Sequence, residues 1–255
     1  MEIYFDNAAT TQLSKRAASA FLENAQAFPG NPSSVHRKGQ LAKAELERLR
    51  EHMASLLSVK PEQLIYTSGA TEAISVFFGN LVWTEPGSIL VSRIEHEAVT
   101  SWMPYLKKLG WNIVKLKAKG GFVSKEELAS SLTPDTKVVA VMAVNNVVGS
   151  IQPISELVET VREYEKTNGR RILFFSDSVQ ALGKTGLDLA GSGVDGASFS
   201  AHKINGPRGI GMLYVKNPEA LRPIAAAGGQ ERGKRGGTEN LPGAAAFDAA
   251  LTEWY

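Results

Sequence analysis

From Lys137 to Val144 the chain reads Lys137-Val138-Val139-Ala140-Val141-Met142-Ala143-Val144, an apolar run rich in β-branched residues and unbroken after its lysine. A strand with one wet face alternates apolar with polar residues, whereas a strand that does not alternate has both faces covered. Covered faces on both sides imply a mostly parallel sheet between two layers of helices, and the flanking sequence supplies those helices. Ser14 is placed to cap a helix running to about Phe28, after which Pro29-Gly30-Asn31-Pro32-Ser33-Ser34 breaks the chain. Leu46, Leu49, Met53 and Leu56 recur at three- and four-residue steps, which predicts a long helix ending before Lys60-Pro61, with Lys43, Glu47, Arg50 and Glu51 turned away from the core. Further strands are expected at 63–67, 88–93, 111–116, 171–175, 197–200 and 210–215. Helices are expected at 71–83, 98–109, 154–168 and from Leu241 onward, and Ser124 with Glu127 reads as the capping box of a short one. The fold class that follows is α/β, a three-layer arrangement with a mostly parallel sheet flanked by helices.

Of the 255 residues, 43% are hydrophobic and 21% charged, enough for one substantial core, and one large domain is the simplest reading. A formal net charge of +2 is too small to imply nucleic acid or an anionic membrane as partner. There is no cysteine, which excludes disulfides, thiolate zinc sites and a cysteine nucleophile within these residues. The start lacks a basic region followed by an apolar one, and Val138 to Val144 is far too short to span a bilayer, so the cytoplasm is the expected compartment. The last expected helix reaches Leu251-Thr252-Glu253-Trp254-Tyr255 without a glycine, a basic last turn or a proline, which reads as a cut end.

In a parallel sheet ligands bind beyond the carboxyl ends of the strands, so the polar residues after each apolar run come first. In Ser198-Phe199-Ser200-Ala201-His202-Lys203, a lysine follows two hydroxyl residues and a histidine, and a lysine can form a Schiff base with an aldehyde cofactor. A surface lysine beside a loop would look the same locally. Thr67-Ser68-Gly69-Ala70-Thr71-Glu72 joins a strand to a helix through small residues, leaving helix-start amides for a phosphate with Thr71 adding a hydroxyl; an ordinary cap by Thr71 is the plainer alternative. His96 stands between a strand and a helix, where an imidazole can stack on a flat ring and move a proton. Asp177 leaves the apolar strand Phe174-Phe175-Ser176, and a carboxylate in so dry a place needs a cationic partner, for which a pyridinium nitrogen serves. A helix cap also explains Asp177, but not Gln180, expected on the same helical side and within reach of the ring's phenolic oxygen. Together with Ser200 and His202 as phosphate donors, these residues meet the needs of pyridoxal 5'-phosphate.

Two competing motifs fail on spacing. Gly183-Lys184-Thr185 resembles the tail of a P-loop, but Ser178 stands where its first glycine belongs. Gly206-Pro207-Arg208-Gly209-Ile210-Gly211 reverses the dinucleotide fingerprint and precedes a strand. The basic cluster Arg232, Lys234 and Arg235 lacks the aromatic residues of a nucleic-acid surface, so an anion site or a dimer contact is the better expectation.

Taken in order, Tyr4-Phe5-Asp6-Asn7-Ala8-Ala9-Thr10-Thr11, Gly30-Asn31-Pro32-Ser33-Ser34-Val35-His36, the Thr67 to Glu72 loop, Glu95-His96, Val144-Asn145-Asn146, Asp177-Ser178-Val179-Gln180, Ser200 to Lys203 and Gly228-Gly229-Gln230-Glu231-Arg232-Gly233 resemble the cysteine desulfurases of the class V aminotransferase group. That resemblance implies the large domain of the aspartate-aminotransferase-like fold over residues 1–255, with an N-terminal arm of about 1–13 and without the family's C-terminal small domain. It implies Lys203 as the cofactor lysine and His96 as the stacking, proton-moving ring. Asp177 is implied at the pyridine nitrogen and Gln180 at the phenolic oxygen. Ala70 (through its backbone), Thr71, Ser200 and His202 are implied on the phosphate, and Asn146 beside cofactor and substrate. Thr238 matches a family threonine that reaches the phosphate of the partner subunit, which implies a homodimer. The implied reaction converts L-cysteine to L-alanine and leaves sulfur on an enzyme cysteine, for delivery to an iron–sulfur scaffold or another acceptor protein. That cysteine, and the arginine that holds the substrate carboxylate, belong to the family's C-terminal region, so these residues are expected to hold the cofactor without completing the reaction. A selenocysteine lyase, another class V aminotransferase, or a non-catalytic cofactor-binding or scaffold protein shares the same motifs.

Overall fold

The computed structural model describes residues 3–223 and 228–255. In chain order it contains α1 (Lys15–Ala27), α2 (Arg37–Leu56), β1 (Leu64–Thr67), α3 (Ala70–Gly79), β2 (Ser88–Ser92), α4 (Glu97–Thr100), α5 (Trp102–Lys108), β3 (Asn112–Leu116), α6 (Lys125–Ser131), β4 (Thr136–Ala140), α7 (Ile154–Asn168), β5 (Leu173–Asp177), α8 (Leu189–Ser192), β6 (Gly196–Ser200), β7 (Gly211–Val215) and α9 (Leu241–Thr252). The strands form one sheet in the order β1-β7-β6-β5-β4-β2-β3. Pairing is parallel from β3 through β6, and β7 alone runs against its neighbours β6 and β1. The α/β class and the mostly parallel sheet are as the sequence predicts.

The unbroken apolar runs follow from what covers each face. Val139, Phe174 and Phe199 pack with α2, α6, α7 and α9 on one side, while Val138, Ala140 and Phe175 pack with α3 and α5 on the other. Neighbours in one strand thus enter different cores, and each fully buried phenylalanine contributes about 1.5–3 kcal/mol by leaving water. Gly196 lacks a side chain because a Cβ there would meet the Phe77 ring at 2.6 Å.

Local signals place the ends of several elements. Ser14 caps α1 by accepting from Ala17 N, and Gly169 ends α7 at φ 68°. Ser124 accepts from Glu127 N, but the Glu127 carboxylate turns to Lys117 N, so only half of the expected capping box forms. The run from Lys137 leaves the ladder at Ala140, although Val141 N and Ala143 N still donate to Phe175 O and Asp177 O.

Arg50 corrects the sequence reading. Expected to face solvent, it is 2% exposed and donates two 2.8 Å bonds to Glu231. The segment Gln230–Gly233 folds over α2 and brings a carboxylate to a position that helical periodicity marks as polar and exposed. Among the described residues, no helix is long and apolar enough to cross a membrane.

Candidate active site

Because β1, β2, β4, β5 and β6 are parallel to one another, their carboxyl ends meet at one edge of the sheet. A cavity of about 810 Å³ opens there. The loops after these strands line it with Ala70 and Thr71, His96, Asn146, Asp177 and Gln180, and Ser200, His202 and Lys203. Asp6, Ala8 and Ala9 close one side from the N-terminal arm. That arm is tied down by Thr11, whose backbone N–H and hydroxyl both donate to His202 O, and by Ser14 N donating to Asn205 O.

Lys203 follows β6 and Asp177 ends β5, so the pairing of these two strands sets amine and acid on adjacent strand ends. Lys203 Nζ donates to Ala8 O and Ala9 O at 2.6 Å each. Burial holds the Lys203 amine below the usual lysine range, against the opposing pull of Asp177 and Asp6. An amine so placed is neutral more often than a surface lysine and is the better nucleophile toward an aldehyde. The Asp177 carboxyl is deeply buried, and burial raises its pKa against the Val179 amide, His96, the Ser198 hydroxyl and Lys203. Its bonds from Val179 N and Ser198 Oγ both end on Oδ1, which leaves Oδ2 to a ligand. A protonated ring nitrogen is a partner of the right charge.

His96 caps α4, its Nδ1 accepting from Ala98 N at 3.1 Å, which directs a neutral ring's proton to Nε2. Gln180 was expected on a helix shared with Asp177, but β5 runs into successive turns, so the helical spacing does not apply. Its side chain still lines the cavity, with Nε2 donating to Ala8 O and Oε1 accepting from Lys184 Nζ. In the Asn145-Asn146 pair, Asn145 is buried and spends its amide on Ile94 O and on the amides of Val147 and Val148, while Asn146 lines the cavity.

At the other end of the cavity Gly69 is the N-cap of α3, so Thr71 sits inside the first turn and is not the cap. The helical ladder begins with Ala73 N donating to Gly69 O, which leaves the amides of Ala70, Thr71 and Glu72 as orphan donors of that turn. Such amides, at the positive end of a helix, suit a phosphate. Ser200 and His202 line the same cavity. Burial, together with Lys203, Arg208 and Lys184, pushes the His202 imidazole down to about 4, so at neutral pH it carries one N–H and no charge. The loop reaches this close because β7 begins with glycine: a Cβ on Gly211 would stand 2.5 Å from Gly69 Cα.

Thr238 is the one candidate that does not line the cavity; it is exposed on the segment after Arg235. Sequence reasoning assigned nothing to three other residues. Glu72 lines the cavity, accepts from Ser68 N and pairs with Arg235 at 2.8 Å. Arg208 lines it as an exposed cation, and the carboxyl of Glu95, the residue before His96, lies buried. Glu72 and Glu95 stand inside motifs that the sequence displays, but no local pattern reveals their partners.

The sequence profile of the family described as Aminotransferase class-V matches residues 3–254. A relative described as a NifS/IcsS protein homolog, from Lactobacillus delbrueckii subsp. bulgaricus, is 42% identical over 253 residues, covering 97% of this chain and 64% of the relative. Cysteine desulfurase IscS of Dictyoglomus turgidum is 36% identical, covering 98% of this chain and 63% of its own length. The chain therefore spans less than two thirds of the length of these relatives. Among solved structures, a NifS-like protein superposes with a TM-score of 0.94 at 36% identity, over all of this chain and 70% of its own.

Proposed function

The chain belongs to the class V aminotransferases, in their cysteine desulfurase and NifS group, and we propose that it is the cofactor-binding domain of a cysteine desulfurase, with an arm of about residues 1–13, of which residues 1 and 2 lie outside the described residues. One observation carries this reading: a burial-depressed amine, Lys203, and a deeply buried carboxyl, Asp177, share one cavity with a cup of free helix-start amides. This donor set fits pyridoxal 5'-phosphate end to end. When bound, that cofactor supplies an electron sink for charge developing on a substrate α-carbon.

The protein's own part is to hold and to move protons. Lys203 would hold the cofactor at its aldehyde end, and Asp177 would be the partner that keeps the ring nitrogen protonated. Ala70, Thr71, Ser200 and His202 hold the phosphate, with His202 donating as a neutral ring. His96 would carry a proton to or from the substrate through Nε2, and Gln180 and Asn146, which line the same cavity, would steady ring and substrate. In the overall reaction L-cysteine and a thiol give L-alanine and a persulfide, so sulfur moves from carbon to sulfur without net oxidation. With no cysteine among the 255 residues, that thiol is supplied from outside them. The exposed Thr238 suits a homodimer in which it reaches the partner's phosphate. An iron–sulfur scaffold or another acceptor protein is the proposed recipient of the sulfur.

Reconstitution with pyridoxal 5'-phosphate followed by borohydride reduction should fix the cofactor on Lys203, as read by peptide mass spectrometry. Full cofactor occupancy with Lys203 unlabelled would remove the assignment. Cysteine, a thiol and the protein carrying this chain should yield alanine; turnover of selenocysteine alone would reassign the substrate.

A further inference from the structure

Glu95 precedes His96 in the loop after β2. Its backbone and stem reach the surface, but its carboxyl is buried. Oε1 accepts from the Ser92 hydroxyl at 2.5 Å and from Met142 N at 2.6 Å. Oε2 is buried and has no hydrogen-bond partner among the described residues. A buried carboxyl with a spare oxygen is costly, and burial pushes this one up to about 7, with Asp177 adding to the shift.

The reason for an acid here lies in the sheet. The ladder between β2 and β4 ends at Val91 and Ala140, while Ser92 and Arg93 stay paired with β3 on the other side. Two residues further along, Met142 N has lost the β2 carbonyl that a continuing ladder would offer. Glu95 Oε1 takes that carbonyl's place, so the loop departs without orphaning the amide. A second tie runs the other way, from Asn145 Nδ2 to Ile94 O at 2.9 Å. A third joins the same segment to the Asp177 strand, with Ala143 N donating to Asp177 O at 2.8 Å. The loops bearing His96 and Asn146 are therefore held to each other, and to Asp177, by three ties, of which the Glu95 carboxyl supplies the one nearest the end of the ladder. Among the described residues, the exposed His96 ring itself has only the bond from Ala98 N.

We propose that Glu95 is a positioning residue: its carboxyl fixes the separation of the His96 and Asn146 loops across the cofactor and so sets the tilt of the His96 ring. This inference rests on the reading of His96 as the ring-facing residue.

Glu95→Gln retains the Oε1 acceptor. Glu95→Asp retains the carboxyl but is one methylene too short to reach Met142 N, and Glu95→Ala removes both carboxyl and reach. The test uses the protein carrying this chain, with pyridoxal 5'-phosphate as the probe. Visible circular dichroism of the bound cofactor reports its asymmetric seating, and the dissociation constant is measured beside it. Leaving the Met142 amide without its acceptor is worth about tenfold, so the Asp and Ala variants should bind at least about tenfold more weakly with most of the dichroism per bound cofactor lost. The Gln variant should stay close to the unsubstituted protein in both. Should Ala fail to fold, the Asp and Gln pair carries the test. Wild-type dichroism and affinity in the Asp variant would overturn the proposal, as would a Gln variant impaired as much as Asp. Failure of the unsubstituted protein to load cofactor on Lys203 is a different result, since it removes the underlying reading and not only the role of Glu95.

Discussion

Replacing Arg50 by leucine should cost this protein a large part of its stability. The guanidinium donates at 2.8 Å to both Glu231 oxygens and to Leu64 O, lies 4.5 Å over the Tyr66 ring, and approaches Glu47 at 3.4 Å. Burial opposes its charge, yet Glu231, with Tyr66 and Glu47, more than offsets burial and the net shift raises the guanidinium further. Glu231 is equally enclosed, accepts from Tyr66 N, and holds left-handed backbone at φ 46°, which costs a non-glycine residue about 1–2 kcal/mol. Arg50→Leu leaves that carboxylate buried without a cation, and breaking a buried pair from one side costs about 3–5 kcal/mol. Whole domains are stable by about 5–15 kcal/mol, so the loss is easily read in urea unfolding followed by circular dichroism. Adding Glu231→Gln removes the stranded charge while an amide oxygen still accepts from Tyr66 N, and should return about 1–2 kcal/mol. A single variant losing under about 1 kcal/mol, or a double variant no more stable than the single, would refute the reasoning.

Glu95 sets a pH window. Its folded value of about 7 lies above the ordinary 4.5, so between these values the native protein keeps a proton that the unfolded chain has released. Stability from this group is full below the window and falls as pH rises through it, by roughly 3 kcal/mol at about 1.4 kcal/mol per unit. Glu95→Gln should flatten that slope in denaturation measured across pH, and an unchanged slope would count against the buried acid. Asp177→Asn should leave cofactor loading intact but lower turnover about a hundredfold or more, because the ring nitrogen loses its charged partner; turnover near the unsubstituted rate would end that assignment. Gly211→Ala drives a Cβ against Gly69 Cα and Phe199 O, both at 2.5 Å, and should destabilise by about 1–3 kcal/mol while weakening cofactor binding; an alanine variant of normal stability would show that the two loops have room to part.

The sheet and the placement of the candidate residues were legible for a common reason. A parallel strand buried on both faces announces itself by failing to alternate, and once its direction is known its carboxyl end is known. Lys203, Asp177, His96 and the Thr71 loop each stand directly after such a run, so one inference about direction gathers them. Strand length is less legible, because burial outlasts pairing: Val141 and Val144 stay buried past the end of β4, their packing no longer tied to a complete ladder. Gln180 shows a similar limit, since its spacing from Asp177 fits a helix while the glycine-bearing stretch after it folds as turns.

Arg50 and the Asn145-Asn146 pair mark where sequence reasoning stops, and for one physical cause. Helical periodicity places Arg50 among lysines and glutamates because it reads only the helix's own pattern. What decides the burial is Glu231, a carboxylate 181 positions away whose backbone is itself strained. The two asparagines are adjacent and chemically identical, so nothing local separates them. They are separated by Ile94 O, which the neighbouring strand's loop offers to Asn145 and not to Asn146. Asn145 is thereby consumed in holding the loop, and that frees Asn146 to face the cavity. A polar residue's role here depends on whether a distant backbone group or carboxylate has already claimed it. Pairings of that kind are set by how the strand ends converge, so they become readable only once the sheet is assembled.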